Sequence, residues 1–158
     1  MPGEPGPPAD LLSDLDEVAR IMAGFEGDWW VIGSAAILLS GVPNLEPQDI
    51  DILVSDQGAR ELCSRLRASA IDMPRHDKFR SDLFFRHRLV SRDMEVMGGF
   101  TVATAVGWEA FWPEDTRLVQ SEAGTLRLPA VSDLVRMCRL FGRAKDIARI
   151  PALEALPR

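Results

Sequence analysis

Residues 29–55 read WWVIGSAAILLSGVPNLEPQDIDILVS, and this stretch decides the fold. Trp29 to Ile32 is a run of four apolar residues, two of them aromatic and two β-branched, which predicts a short buried strand. Gly33-Ser34 then opens an apolar helix through AAILLSG, and Gly41 to Gln48, with Pro43, Asn44 and Pro47, is a loop. DIDILVS follows as a second strand, in which Asp49 and Asp51 interrupt an otherwise apolar run. Successive strand side chains point to opposite faces, so the two aspartates share one face and Ile50 and Ile52 take the other. Carboxylates held roughly 7 Å apart on a rigid strand repel each other, and the arrangement becomes favourable once a divalent cation sits between them.

The flanking sequence alternates helix and strand. Leu11, Leu12, Leu15, Val18, Ala19, Ile21 and Met22 recur at helical spacing, predicting an amphipathic helix over Leu11–Phe25 that ends at Gly27 and Asp28. Ser55 or Asp56 caps a third helix running through ARELCSRLRAS. After a polar loop around Pro74, DLFFRHRLV and DMEVMGG are strands joined in a hairpin at Ser91-Arg92. Residues 100–130 carry a weaker pattern, with TRLVQ and TLRLP around SEAG as a further hairpin. Val131 to Leu156 is helical, with Ser132 as its N-cap and a break at Gly142 or Pro151. The expected class is α/β in the broad sense, α+β more narrowly. The expected division is a disordered leader over 1–9, a core over 10–130, and a C-terminal helical segment over 131–158 packed on the same domain.

With 158 residues, 46% hydrophobic and 27% charged, the chain has enough material for one domain with a core. No apolar run approaches the roughly 20 residues of a membrane helix, so no membrane partner is expected. The opening MPGEPGPPAD has neither the basic nor the apolar segment of a secretory signal. Cys63 and Cys138 fall among apolar residues as structural thiols, and His76 and His87 stand alone, which argues against zinc and fits the cytoplasm. The net charge of −6 is unevenly spread: residues 1–59 hold eleven acids and one basic residue, whereas residues 60–92 hold nine basic residues and four acids. That basic set, Arg60, Arg65, Arg67, Arg75, Lys78, Arg80, Arg86, Arg88 and Arg92, is either a solvated surface or a patch for an anionic partner.

A glycine directly after a strand lets a ligand approach the backbone, and the helix that follows offers unpaired amides and a positive dipole end. Gly33-Ser34 is therefore a candidate phosphate seat, and Asp49 and Asp51 supply the carboxylates of a metal-nucleotide site. A third carboxylate from a neighbouring strand completes a cage. Glu95, between Met94 and Val96, is the candidate, with Asp93 two residues earlier on the same face as runner-up.

Gly33-Ser34, then Asp49-Ile50-Asp51, then Glu95 resembles the signature of the polymerase-beta-type nucleotidyltransferase superfamily. LVRMCRLFGRAKDIARIPAL is similar to the C-terminal GRxKD helix of the small lincosamide and aminoglycoside nucleotidyltransferases and of AbiEii-type nucleotidyltransferase toxins. The resemblance covers residues 28–155. It implies a nucleotidyltransferase-like mixed β-sheet flanked by helices, with a C-terminal helical segment. It also implies transfer of a nucleoside monophosphate, with Asp49, Asp51 and Glu95 as catalytic metal ligands for two Mg2+ ions. Gly33 and Ser34, together with Arg143 and Lys145, would bind a nucleoside triphosphate, ATP being the first expectation. Arg136, Arg139 and Arg143 would extend the cationic face as a helical stripe. The chain departs from the pattern at Pro47-Gln48, where relatives often carry Arg or Thr, at Arg149, where a second Asp often stands, and a turn before Gly142-Arg143, where the common Lys is replaced by Cys138 or displaced to Arg139.

The acceptor expected from this resemblance is a hydroxyl on a small molecule such as an antibiotic, or on tRNA or a protein. The acidic N-terminal third suits a cationic antibiotic and the basic segment 60–92 suits RNA, while the absence of tyrosine and of an evident aromatic stacking surface weighs against single-stranded RNA. Asp82, Glu109 and Asp115 are eligible general bases. The competing class is a nucleotidyltransferase-fold protein without turnover, acting as a binding or antitoxin-like regulatory partner.

Overall fold

The computed structural model describes residues 6–72 and 76–157; the start of the expected leader, the loop at Pro74 and Arg75 of the basic set lie outside the described residues. Helix α1 (Ala9–Met22) buries Leu11, Leu15, Val18 and Met22 along one stripe. It leads to strand β1 (Trp29–Ile32), buried along its whole length, and directly to helix α2 (Gly33–Leu39). Strand β2 (Asp49–Val54) is followed by helix α3 (Asp56–Arg65), whose N-cap is Ser55: its hydroxyl accepts from the Gly58 amide at 2.9 Å.

Strands β3 (Phe79–Arg80), β4 (Leu83–Arg88) and β5 (Asp93–Gly98) come next, with β4 and β5 forming the expected hairpin. Strands β6 (Thr101–Thr104) and β7 (Gly107–Ala110) join β3 in a small second sheet that the sequence pattern did not reveal. Strand β3 has two residues, and every residue of β7 is exposed, so neither carries the apolar alternation on which a strand prediction rests. Strands β8 (Thr116–Ser121) and β9 (Gly124–Pro129) form the last hairpin, before helices α4 (Val131–Phe141) and α5 (Ala144–Glu154).

The main sheet has the order β1-β2-β5-β4: β1 and β2 are antiparallel, β2 and β5 parallel, β5 and β4 antiparallel. The central strand β2 has Ile50, Ile52, Leu53 and Val54 fully buried, as suits a strand flanked by neighbours on both edges. Helix α1 packs on β9 and β8, and β9 on β1. Trp30 fixes this layer, meeting Trp112 edge to face at 4.7 Å while its Nε1 donates to Thr116 Oγ1 at 2.9 Å.

Two expectations for the C-terminal segment need correction. Ser132 is not the N-cap of α4; that position is Ala130, which makes no side-chain cap, and Ser132 is exposed in the first turn. The chain breaks at Gly142, which caps α4 in the left-handed region at φ 67°, whereas Pro151 lies inside α5. A proline one turn from a helix end removes a single hydrogen bond, a cost that packing of Leu153 against the core offsets. The same break disposes of the arginine stripe. Arg136 and Arg139 belong to α4, but Arg143 is the N-cap of α5.

Candidate active site

Strand register gathers the carboxylates. Asp51 stands opposite Glu95, and Asp49 opposite Asp93, in the parallel pairing of β2 with β5. Ile32 is the partner of Asp51 on the other side, so the β1-to-α2 turn arrives beside the same carboxylate. Gly33 makes that turn at φ 71°, and a Cβ there would meet Asp51 Oδ2 at 2.9 Å; the position needs glycine both for its backbone and for the room. Ile32, the N-cap of α2, offers no side-chain acceptor, which leaves the first amides of the helix free of a cap.

Burial drives the Asp51 pKa up to about 7, with the charges of Glu95 and Asp49 adding to the rise and Arg143 and Lys145 opposing it. Burial also raises Glu95, as does the neighbouring Asp49, while Arg86 pulls it back. A group of carboxylates that repel one another in a half-dry cleft is a set of hard oxygen donors short of a cation, which fits Mg2+. Among the described residues no three acidic, histidine or cysteine side chains are already drawn together as a finished coordination shell. Arg86, whose Nε is 3.6 Å from Glu95 Oε1, supplies part of the missing positive charge.

These residues line a cleft of about 240 Å3 with Gly33, Ser34, Asp51 and Glu95 on one side and Arg143, Lys145, Asp146 and Arg149 of the C-terminal segment on the other. Of the metal ligands and nucleotide-binding residues expected from the sequence, Asp49 alone is outside this lining; it reaches the group through its charge on Asp51 and Glu95. Asp93, the runner-up, faces Arg88 at 3.5 Å. The three eligible bases, Asp82, Glu109 and Asp115, do not line the cleft, and all three are exposed.

Arg143 is held rather than free: its Nε donates to Asp146 Oδ2 at 2.6 Å and its Nη2 to Oδ1 at 3.1 Å, with Asp146 itself 2% exposed. Its guanidinium lies 4.9 Å from the Phe79 ring and 5.6 Å from that of Phe141. Lys145 is exposed on the next turn of chain and Arg149 follows four residues later on the same face of α5.

Sequence reading missed the apolar half of the cleft. Phe79, Phe84, Met97, Phe100, Met137 and Phe141 line it, and Phe79 contacts both Phe100 and Phe141, at ring distances of 5.7 Å and 4.9 Å. These residues come from strands and a helix far apart in the chain, so no local spacing could announce them. Much of the basic segment is an exposed surface whose arginines have partners within the chain. Arg60, Arg65, Arg86, Arg88 and Arg92 all pair with carboxylates, and Arg80 stacks at 3.8 Å over Trp108.

The two thiols stay out of the site's chemistry. Cys63 and Cys138 are free and buried, and burial, assisted by the charge of Asp146, pushes Cys138 up to about 11. Among the described residues no helix is long and apolar enough to cross a membrane.

A family model for aminoglycoside-2''-adenylyltransferase matches residues 14–100. No curated protein matches the chain by sequence. Among solved structures, a Thermotoga maritima protein classed provisionally as a nucleotidyltransferase is 22% identical, with a TM-score of 0.68 over 93% of this chain and 90% of that one. The lincosamide antibiotic adenylyltransferase LnuA, solved with lincomycin, is 14% identical, with a TM-score of 0.57 over 91% of this chain and 96% of that one. ANT(2'')-Ia, solved with adenylyl-2''-tobramycin, is 10% identical, with a TM-score of 0.53 over 90% of this chain and 87% of that one. The shared feature is the fold, a mixed sheet flanked by helices with a helical C-terminal segment.

Proposed function

Because the chain belongs to the aminoglycoside-2''-adenylyltransferase family and is a nucleotidyltransferase, we propose that it moves a nucleoside monophosphate from a nucleoside triphosphate, ATP first, to a hydroxyl acceptor in a magnesium-dependent reaction. The observation that carries this reading is the row Gly33, Asp51, Glu95: a glycine turn opening a helix, a carboxylate raised to about 7, and a second carboxylate opposite it in register.

Asp49, Asp51 and Glu95 would hold Mg2+, which when bound neutralises triphosphate charge and lowers the pKa of the acceptor hydroxyl. The amides at Gly33 and Ser34 orient the β and γ phosphates, since free amides at a helix start are matched to anionic oxygen. Lys145 meets charge developing on the leaving pyrophosphate. Arg143 is spent on Asp146, so it acts by fixing the start of α5 against the Phe79 and Phe141 rings and presenting Lys145. Phe79, Phe100 and Phe141 give a dry wall suited to the flat face of a base. A reaction that consumes magnesium-ATP suits the cytoplasm, where it is supplied.

The test is to incubate the protein with labelled ATP, MgCl2 and a panel of acceptors including tobramycin, lincomycin and bulk tRNA, with Asp51→Asn as control. Label moving to one acceptor, lost in the control, is the expected result. If calorimetry detects no magnesium-dependent nucleotide binding, the transfer reading fails and a non-catalytic, regulatory role takes its place.

A further inference from the structure

Helix α5 carries two acids and two bases, and only the acids have partners. Asp146 is bound through both oxygens by Arg143, and Glu154 pairs with Arg139 at 3.0 Å. The side chains of Lys145 and Arg149 make no ion pair or hydrogen bond among the described residues, yet both line the cleft, Lys145 exposed and Arg149 half-buried. Four residues apart on one helix, they stand side by side with Cβ atoms about 5–6 Å apart. Like charges at that spacing repel, and Lys145 lies in the first turn of α5, where the helix dipole already has its positive end. Both costs reverse when an anion with more than one charged group lies against the pair.

The course of α5 gives the two cations an order. Helix α2 leaves the cleft from Gly33, beside Asp51, and beyond its far end a Cβ at Gly41 would meet Leu156 Cδ2 at 3.2 Å, just past the end of α5. The two helices therefore leave the cleft in the same sense, and Arg149 stands one turn farther from the metal-holding carboxylates than Lys145. The transfer reading above, on which this inference rests, puts the α-phosphorus at those carboxylates and Lys145 at the leaving pyrophosphate. The next anionic group outward is the terminal phosphate.

We propose that Arg149 binds the terminal phosphate of the nucleotide and is the residue by which the site selects triphosphate donors over diphosphates. A guanidinium fork offers two parallel N–H donors to one phosphate, so it registers a phosphate at a fixed place, whereas the Lys145 ammonium is a point charge that follows charge as it shifts. Half-burial keeps salt from screening the contact as it screens a surface pair.

The test is calorimetric binding, in MgCl2, of ADP and of an ATP analogue with a methylene bridge between its α and β phosphorus atoms. It is run on wild type, Arg149→Lys and Arg149→Gln, with a thermal melt of each. Wild type prefers the triphosphate; Arg149→Gln weakens that ligand about ten-fold or more and leaves ADP within about two-fold, so the preference collapses. Arg149→Lys keeps the charge without the fork and falls between the two. Arg149→Gln melts at or above wild type, because one of two repelling charges is gone, a result that loss of a structural contact would not give. Equal weakening of both nucleotides, or of neither, overturns the proposal. If Arg149→Gln does not fold, Arg149→Lys decides alone, and an unchanged triphosphate preference there overturns it. A wild type that binds neither nucleotide removes the transfer reading and this proposal with it; one that binds both, with a preference indifferent to Arg149, removes only this proposal.

Discussion

The Asp51 carboxylate lies against the Cα of Gly33, close enough that a Cβ at position 33 would meet Oδ2 at 2.9 Å. Gly33→Ala therefore carries two penalties, a left-handed backbone costing about 1–2 kcal/mol and a displaced carboxylate. Urea melts should register a loss of about 1–3 kcal/mol, within reach of a folded protein, whereas nucleotide transfer should fall about a hundred-fold or more. Transfer at the wild-type rate would mean that the turn is not part of the site.

Replacing Asp51 with Asn separates function from stability. Asp51 has a folded pKa of about 7 against 3.8 for an ordinary aspartate, so between these values the native state holds a proton that the unfolded chain lacks. Its contribution to stability is complete at acidic pH and is lost as pH rises through about 7. Asp51→Asn should flatten this dependence, melt higher than wild type near about pH 8, and transfer no nucleotide. Magnesium should stabilise the wild type more at about pH 8 than at about pH 5.5, because its ligands must be ionised. Equal melting of wild type and variant across this range would contradict the buried, repelled carboxylate.

Arg92 and Asp14 tie the β4–β5 turn to α1. Asp14 is fully buried and accepts from Arg92 Nε at 2.7 Å and from the Ser91 amide at 2.9 Å, while Arg92 also reaches Pro47 O at 2.7 Å. Arg92→Ala leaves a charge buried without its partner, and calorimetric melts should show a loss of about 3–5 kcal/mol. Asp28→Ala, which breaks an exposed pair with Arg127 at 3.3 Å, should cost under about 1 kcal/mol. The contrast is the measurement; similar losses would mean that burial does not set the difference.

Lys145 and Asp146 are neighbours with opposite roles. Lys145 is exposed at the cleft with no ion pair among the described residues, so Lys145→Ala should lower kcat for nucleotide transfer about ten-fold or more with little change in melting. Asp146 is buried under Arg143, and Asp146→Ala should cost about 2–4 kcal/mol by freeing the guanidinium and the start of α5. A steady-state titration beside a melt on each variant distinguishes them, and a destabilised Lys145→Ala would move Lys145 into the scaffold.

Helices and strands with strong local patterns were legible from the chain alone: α1 by its 3.6-residue stripe, β1 and β2 by apolar runs, and the Ser55 cap by its hydroxyl ahead of a helix. Gly33, Asp49, Asp51 and Glu95 could be singled out because glycine and acids set in apolar strand-like runs are costly unless something uses them. Local pattern could not reveal pairing across the sheet. Register placed Asp51 against Glu95 and carried the row on to Arg86, and a break at Gly142 turned Arg143 away from the α4 stripe onto Asp146. The aromatic wall of Phe79, Phe100 and Phe141 likewise exists only once β3, α4 and the turn after β5 meet. Propensity and periodicity act over a few residues and are written in the sequence. Charge partners and cleft walls depend on contacts between distant segments, which only packing of the whole chain decides.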